Sequence, residues 1–206
     1  MGDATDQKTA LSVADDAVEK AAGVLLAGSP VMFPTDTVYG LGLAVGIAQS
    51  LHVLCDIKGR DHGKPVAWLV EGPQALERYG MAVPDYALGL AARYWPGPLT
   101  LVVQASAAVP VAFRAPDGSI ALRMPDHALA QALIKRVAVP LATTSANLSG
   151  QAPPRSFDEV DARLREVVPF SLVGSQPGSG IASTVIDCTK ESPTVLREGS
   201  IVLTEV

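Results

Sequence analysis

Residues 140–150 read P-L-A-T-T-S-A-N-L-S-G, and the way this run divides between strand and loop decides the fold. The apolar segment Val137–Leu141 leads into it, which predicts a buried strand at Val139–Ala142 that ends in a polar loop. Five of the seven positions from Thr143 to Ser149 carry a hydroxyl or a carboxamide, and none is charged. That many neutral donors and acceptors suits a phosphate or a small polar ligand. They cannot do acid–base work near neutral pH. A site built on them acts by positioning and charge neutralisation, with cations supplied from elsewhere in the chain.

Outward from this run, apolar segments of strand length alternate with helical periodicity. Upstream lie a helix at His127–Arg136, a strand at Ile120–Arg123 stopped by Pro125, and a strand at Leu99–Gln104 after the turn W-P-G-P. Further back come a helix at Pro84–Tyr94 opened by its proline, a buried strand at Val66–Val70 and a helix at Ile47–Asp56. A short strand, Val31–Phe33, is closed by Pro34. Before it, Ser12–Ala27 reads as a helix with Gly28 as its stop, and residues 1–10 read as a flexible tail. Downstream, a Pro-rich loop at Gln151–Arg155 leads to an amphipathic helix at Phe157–Val167. Short strands follow near Ser171–Val173, Thr184–Asp187, Thr194–Arg197 and Ile201–Leu203. Alternation of this kind means α/β. The late strands without helices between them predict a mixed, twisted open sheet with flanking helices. The one linker-like segment, G-S-Q-P-G-S-G at 174–180, is too near the C-terminus to divide two domains and reads as a mobile loop at a site. The expected organisation is one domain over 11–206.

Composition narrows the class. The 206 residues are 48% hydrophobic, enough for a substantial core. Cys55 and Cys188 form no C-x-x-C pair, which argues against a disulfide framework or zinc ribbon and fits a reducing cytoplasm. His52, His62 and His127 lack the spacing of metal ligands, so no protein metal site is expected. No apolar run approaches the roughly 18 residues of a membrane span, and the polar N-terminus lacks a secretory core. Asp6 stands where a myristoylation signal needs Ser or Thr. The expectation is a soluble, cytoplasmic protein. A net charge of −5 disfavours polyanion binding by the whole surface but leaves room for a local basic concavity.

Three regions supply cations and further hydroxyls. Lys58-Gly59-Arg60 with Lys64 places three cations within seven residues, a phosphate clamp in which Arg is a planar fork and Lys a point charge. A solvated basic loop is the competing interpretation. In Pro34-Thr35-Asp36-Thr37-Val38-Tyr39-Gly40-Leu41-Gly42 a strand end opens into hydroxyls and then glycines, which permit close approach to a ligand; the alternative is a hydroxyl-rich turn. Arg123 and Arg197 each end an apolar strand and need an anionic partner, either a ligand or an internal acid. Ser183-Thr184 adds hydroxyls, or simply starts a strand. Val45 breaks a G-x-G-x-x-G fingerprint, no G-x-x-x-x-G-K-[ST] occurs, and Ser145 lacks the G-x-S-x-G elbow of a hydrolase nucleophile.

Six motifs then carry a resemblance. P-T-D-T-V-Y-G-L-G (34–42), K-G-R-x-x-x-K-P (58–65), W-P-G-P-L-T (95–100), L-R-M-P-D-H (122–127), T-S-A-N-L-S-G (144–150) and S-T-V-I-D (183–187) with L-R-E-G (196–199) occur in the order seen in YrdC-like threonylcarbamoyl-AMP synthases. The resemblance covers residues 12–203 and the short, single-domain form. It implies a twisted open α/β sheet with a basic concave ligand face. It implies conversion of L-threonine, bicarbonate and ATP, with Mg2+ as helper, into threonylcarbamoyl-AMP and pyrophosphate, which feeds formation of N6-threonylcarbamoyladenosine in tRNA. Carried over by position, Lys58 and Arg60 are the catalytic pair. Lys58, Arg60, Ser119, Ser145, Asn147 and Arg197 surround ATP, and Thr35, Arg123, Thr143 and Ser183 hold threonine. The implied partners are a downstream threonylcarbamoyl-transferase complex and a contact with tRNA or double-stranded RNA, with no membrane. Leu69 stands where some longer relatives have histidine, and Pro153 where others have serine. An RNA-binding module without catalysis and a carbamoyl-adenylate-forming domain are the competing functions.

Overall fold

In the computed structural model, residues 3–62 and 66–202 are described, with side chains from Ala14 onward. In chain order the elements are α1 (Asp3–Leu26), β1 (Val31–Phe33), β2 (Gly40–Ala44), α2 (His52–Lys58), β3 (Ala67–Leu69), α3 (Gln74–Tyr79) and α4 (Asp85–Tyr94). Then follow β4 (Leu99–Gln104), β5 (Ser119–Arg123), α5 (Ala128–Val137), β6 (Leu141–Ser145), α6 (Ala162–Val167), β7 (Phe170–Ser171), β8 (Thr184–Asp187) and β9 (Thr194–Arg197). The nine strands form one mixed sheet in the order β7-β1-β2-β6-β3-β5-β4-β8-β9. Pairs β1/β7, β3/β5 and β4/β8 are parallel and the other five antiparallel. The expected open mixed sheet with flanking helices is what the chain forms.

Alternation along the strands separates the two faces. Met32, Leu41, Leu43, Trp68, Leu101 and Leu122 enter one core with Leu76 of α3, Leu90 of α4 and Leu164 of α6. The opposite face is covered at one end only. There Val31, Phe33, Ala44, Leu69 and Leu141 meet α1 and α5. Helix α5 carries Ala130, Leu133, Ile134 and Val137 at helical spacing, so one stripe is buried. Each large side chain in that stripe contributes about 1.5–3 kcal/mol by leaving water. Lys135 and Arg136 in its last turn complement the helix dipole. Beyond Leu69 the same face carries Gly40, Ala67, Ala121 and Val102 and is left open as a concavity. Small residues on that face leave the room for it.

Several element boundaries differ from the sequence reading. The polar run is not a loop at its start, because Thr143, Thr144 and Ser145 lie in β6, hydrogen-bonded to β2 on one side, with Thr143 also paired to β3 on the other. The glycine-rich segment after Tyr39 is likewise a strand, β2. Gly42 tolerates no side chain there: a Cβ would lie 2.9 Å from Thr143 Oγ1 and 3.0 Å from the Phe33 ring. Helix α2 starts at His52 rather than Ile47, since Gly46 is left-handed (φ +75°) and Ile47 and Ala48 bond back to the Ala44 carbonyl in a turn. The expected helix over 157–167 is broken because Asp161 caps a new helix at Ala162 by accepting from Arg163 N. Helix α3 was not expected. Ile201 and Val202 form no strand, and residue 203 lies outside the described residues. Helix α1 runs back to Asp3, through part of the stretch expected as a tail.

Candidate active site

The open part of the sheet forms the floor of a cavity of about 890 Å3. Eight of the ten residues singled out from the sequence line it: Thr35, Arg60, Ser119 and Arg123, together with Thr143, Ser145, Ser183 and Arg197. They come from segments spread from residue 35 to residue 197, and the sheet order brings them to one face. Alternation explains β5, where Ser119, Ala121 and Arg123 face the cavity while Ile120 and Leu122 enter the core. Arg60, Arg114, Arg123 and Arg197 line the cavity and Asp117 is its one acid among the described residues. A locally basic concavity therefore exists in a chain of net charge −5.

Arg123 is the most buried of these cations, at 6% exposure. Its Nε donates to Gly97 O (3.0 Å), its Nη1 to Thr37 Oγ1 (2.7 Å) and its Nη2 to Asp36 Oδ1 (2.5 Å). The internal acid foreseen as its alternative partner is thus present, and the guanidinium still lines the cavity. Burial lowers the Arg123 pKa, and Asp36 offsets part of that shift. Thr37 in turn lies 3.1 Å, hydroxyl to hydroxyl, from Thr35, which donates to Val38 O at 2.6 Å. Asp36 and Thr37 were missed as site residues. Their signal was available, since an acid and a hydroxyl flanked by strand-end threonines can serve a buried arginine.

Lys58 and Asn147 do not line the cavity. Lys58 is 4% exposed, and its Nζ donates to the Ser145 carbonyl, to Asn147 O (2.5 Å) and to Asn147 Oδ1 (3.2 Å). An ammonium has three N–H donors, and here three acceptors receive them. Burial, aided by the Arg60 charge, moves the Lys58 pKa from an ordinary 10.5 down to about 8. Asn147 Nδ2 donates to Leu148 O and Gln151 O, so the pair ties the end of β6 to the loop after it. Arg60 faces the cavity and donates from Nη1 to Thr144 Oγ1 at 3.0 Å. Lys64 lies outside the described residues.

Ser119, Thr143 and Ser183 also have their hydroxyls engaged. Ser119 Oγ donates to Asp117 Oδ1 at 2.6 Å, which holds that carboxyl below its ordinary range. Thr143 Oγ1 donates to Leu141 O at 2.9 Å. Ser183 and Arg197 are joined at 3.0 Å. Leu69 and Pro153 line the cavity as well, bringing apolar surface to those two places. The segment at 174–180 is docked: Ser179 N donates to Asp36 O (3.0 Å), Gly180 N to Thr37 O (2.8 Å) and Gly178 N to Arg155 O (2.9 Å). It packs directly on the strand-end threonines.

Such a set of groups can neutralise and orient anions. It defines the chain as an α/β protein with an open mixed sheet and a basic concave face. A family model described as Telomere recombination (Sua5, YciO, YrdC) matches residues 23–199. The chain belongs to this Sua5/YciO/YrdC family. Threonylcarbamoyl-AMP synthase of Pyrococcus abyssi is 37% identical over 186 residues, 90% of this chain and 55% of its own length. The human threonylcarbamoyl-AMP synthase is 34% identical over 84% of this chain and 63% of its own. P. abyssi Sua5 complexed with L-threonine superposes with a TM-score of 0.81 at 35% identity, over 88% of this chain and 54% of that one. Escherichia coli YciO gives 0.80 at 26% identity, with 90% of each chain covered. The chain thus spans a little over half the length of its P. abyssi and Bacillus subtilis relatives.

Proposed function

We propose that this chain is an L-threonylcarbamoyladenylate synthase that uses L-threonine, bicarbonate and ATP. The observation that carries the reading is the single cavity that gathers eight candidate residues, rich in guanidinium and hydroxyl groups. Its volume of about 890 Å3 suits two substrates held together. The likeness to synthases at 34–37% identity, and to the P. abyssi Sua5 crystallised with L-threonine, supports the same assignment.

The chemistry needs little more than these groups. Bicarbonate takes up a proton and loses water to give CO2, and the free amine of threonine adds to it and gives up a proton. An oxygen of the resulting N-carboxylate attacks the α-phosphorus of ATP as the bond to pyrophosphate breaks. The nucleophile is already anionic, so the task is to bring two anions together and spread the leaving charge. Arg60 and Arg197 serve the phosphates with Ser119 and Ser145. Arg123 takes the amino-acid carboxylate beside Thr35, Thr143 and Ser183. Lys58 and Asn147 act from behind the wall by fixing the backbone at Ser145 through the bonds described above. Among the described residues no group of three His, Cys, Asp or Glu is arranged to hold a metal ion. The donor set fits Mg2+ carried by the triphosphate, where it would neutralise charge on the leaving oxygens. The product would pass to a threonylcarbamoyl transferase acting on tRNA. The cytoplasm suits this role, and Cys55 and Cys188 are both buried free thiols.

Incubation with ATP, bicarbonate and single amino acids tests the proposal. Pyrophosphate release is expected with threonine and much less with serine. Equal turnover with every amino acid rules it out.

A further inference from the structure

Ser183 stands just before β8, is 5% exposed, and is held by one side chain in two places. Arg197, at the end of β9, donates from Nε to Ser183 O and from Nη2 to Ser183 Oγ, both at 3.0 Å. A guanidinium has only donors, so one lone pair of the Ser183 hydroxyl is committed to Arg197. Ser183 Oγ also lies 2.8 Å from Thr100 Oγ1, and Thr100 is 2% exposed. When Thr100 donates, the second lone pair is taken as well. The Ser183 proton is then left for a ligand in the cavity, which is the polarity a carboxylate or carbonyl oxygen needs.

The backbone there is pinned too. Thr184 Oγ1 donates to Ile201 O (2.8 Å) and accepts from Ile201 N (3.1 Å). Gly199 approaches so closely that a Cβ on it would lie 2.3 Å from Ala182 O and 2.4 Å from Thr184 N. The segment that carries Arg197 and the segment that carries Ser183 are therefore locked to each other.

We infer that Arg197 is a positioning residue for the amino-acid substrate, acting through Ser183, besides its contact with the nucleotide. The inference rests on the synthase function proposed above. One guanidinium at the cavity wall then serves both substrates, and threonine affinity depends on it even when no nucleotide is bound.

Calorimetric titration of threonine into nucleotide-free protein tests this on the wild type, Arg197→Ala, Arg197→Lys, Ser183→Ala and the Arg197→Ala/Ser183→Ala double variant. Arg197→Ala and Ser183→Ala are each expected to weaken threonine binding about tenfold. The double variant should be no more than about twofold weaker than either, because both substitutions remove one linked element. Arg197→Lys keeps a donor and the charge but not the two-pronged grip, so it should recover only part of the loss. In steady state, Arg197→Ala should raise KM for threonine as well as for ATP. Threonine affinity unchanged in both Arg197 variants, or losses that multiply to about a hundredfold in the double variant, overturns the inference alone. Wild-type protein that binds no threonine overturns the synthase proposal and this inference together.

Discussion

Arg123 keeps its charge where its side chain is 7% exposed, and Asp36, 16% exposed, faces it at 2.5 Å. A buried cation of this kind depends on its partner, because removing one member leaves the other uncompensated. Asp36 also accepts from Asp126 N at 3.2 Å and so fixes the turn before α5. Asp36→Asn keeps the shape but loses the charge. It should raise KM for threonine about tenfold while moving KM for ATP less, as steady-state kinetics would show. Lys58 gives a prediction in pH. Above about 8 its amine keeps two N–H donors for three acceptors, so the Ser145–Asn147 backbone loosens. The rate should fall as pH rises through about 8, and a flat profile to pH 9.5 would remove that proton from the mechanism. Stability moves the other way. The folded Lys58 releases its proton at about 8 and the unfolded one near 10.5, so the unfolded chain binds more protons between them. The Lys58 contribution to stability therefore rises with pH across that window. The difference in denaturation midpoint between wild type and Lys58→Met measures it.

At the scale of elements, β2 and β6 explain why part of the site was hidden. The strand G-L-G-L-A carries two glycines in five residues, and glycine is depleted in strands. No local pattern marks it as a central strand. It exists because Phe33 and Thr143 fill the space above Gly40 and Gly42 and because β6 supplies hydrogen bonds along its whole length. For the same reason Thr143–Ser145 read as a loop, since polar residues on an open sheet face look like a strand end. Gly42→Ala should cost about 1–3 kcal/mol by overpacking and displace Thr143, with a fall in the urea midpoint as the check. The strands at Val31–Phe33, Leu99–Gln104, Thr184–Asp187 and Thr194–Arg197 were legible, because each pairs a β-rich composition with turn residues at its ends.

For the whole molecule, one sheet of nine strands joins both cores, so residues 11–206 are expected to unfold in a single calorimetric transition. Ligand linkage adds a second readout. Nucleotide at about a hundredfold above its Kd should stabilise the fold by about 2.7 kcal/mol, a rise in Tm of roughly 5–10 °C for a chain of this size. Arg60→Ala should abolish that rise at the same concentration, as thermal melts with and without nucleotide would show. The net charge of −5 does not oppose such binding, because four arginines and a single acid line the cavity among the described residues.

By itself the sequence determined the α/β class, most of the helices and the residue types, hydroxyls and guanidinium groups, that meet at the cavity. These follow from periodicity and residue type, which are local. Only the tertiary structure decided how each group is used. Lys58 reaches Ser145 across 87 residues and Arg123 reaches Asp36 across 87, while Arg197 turns back 14 residues to Ser183. The β8/β9 pairing sets the last of these, while the end of α2 carries Lys58 to β6 and the turn after β1 carries Asp36 to the end of β5. Register depends on how distant strands pair. The sequence alone therefore identified Lys58 as a cation, and the packing of α2 against the end of β6 buries it on the Ser145 and Asn147 carbonyls.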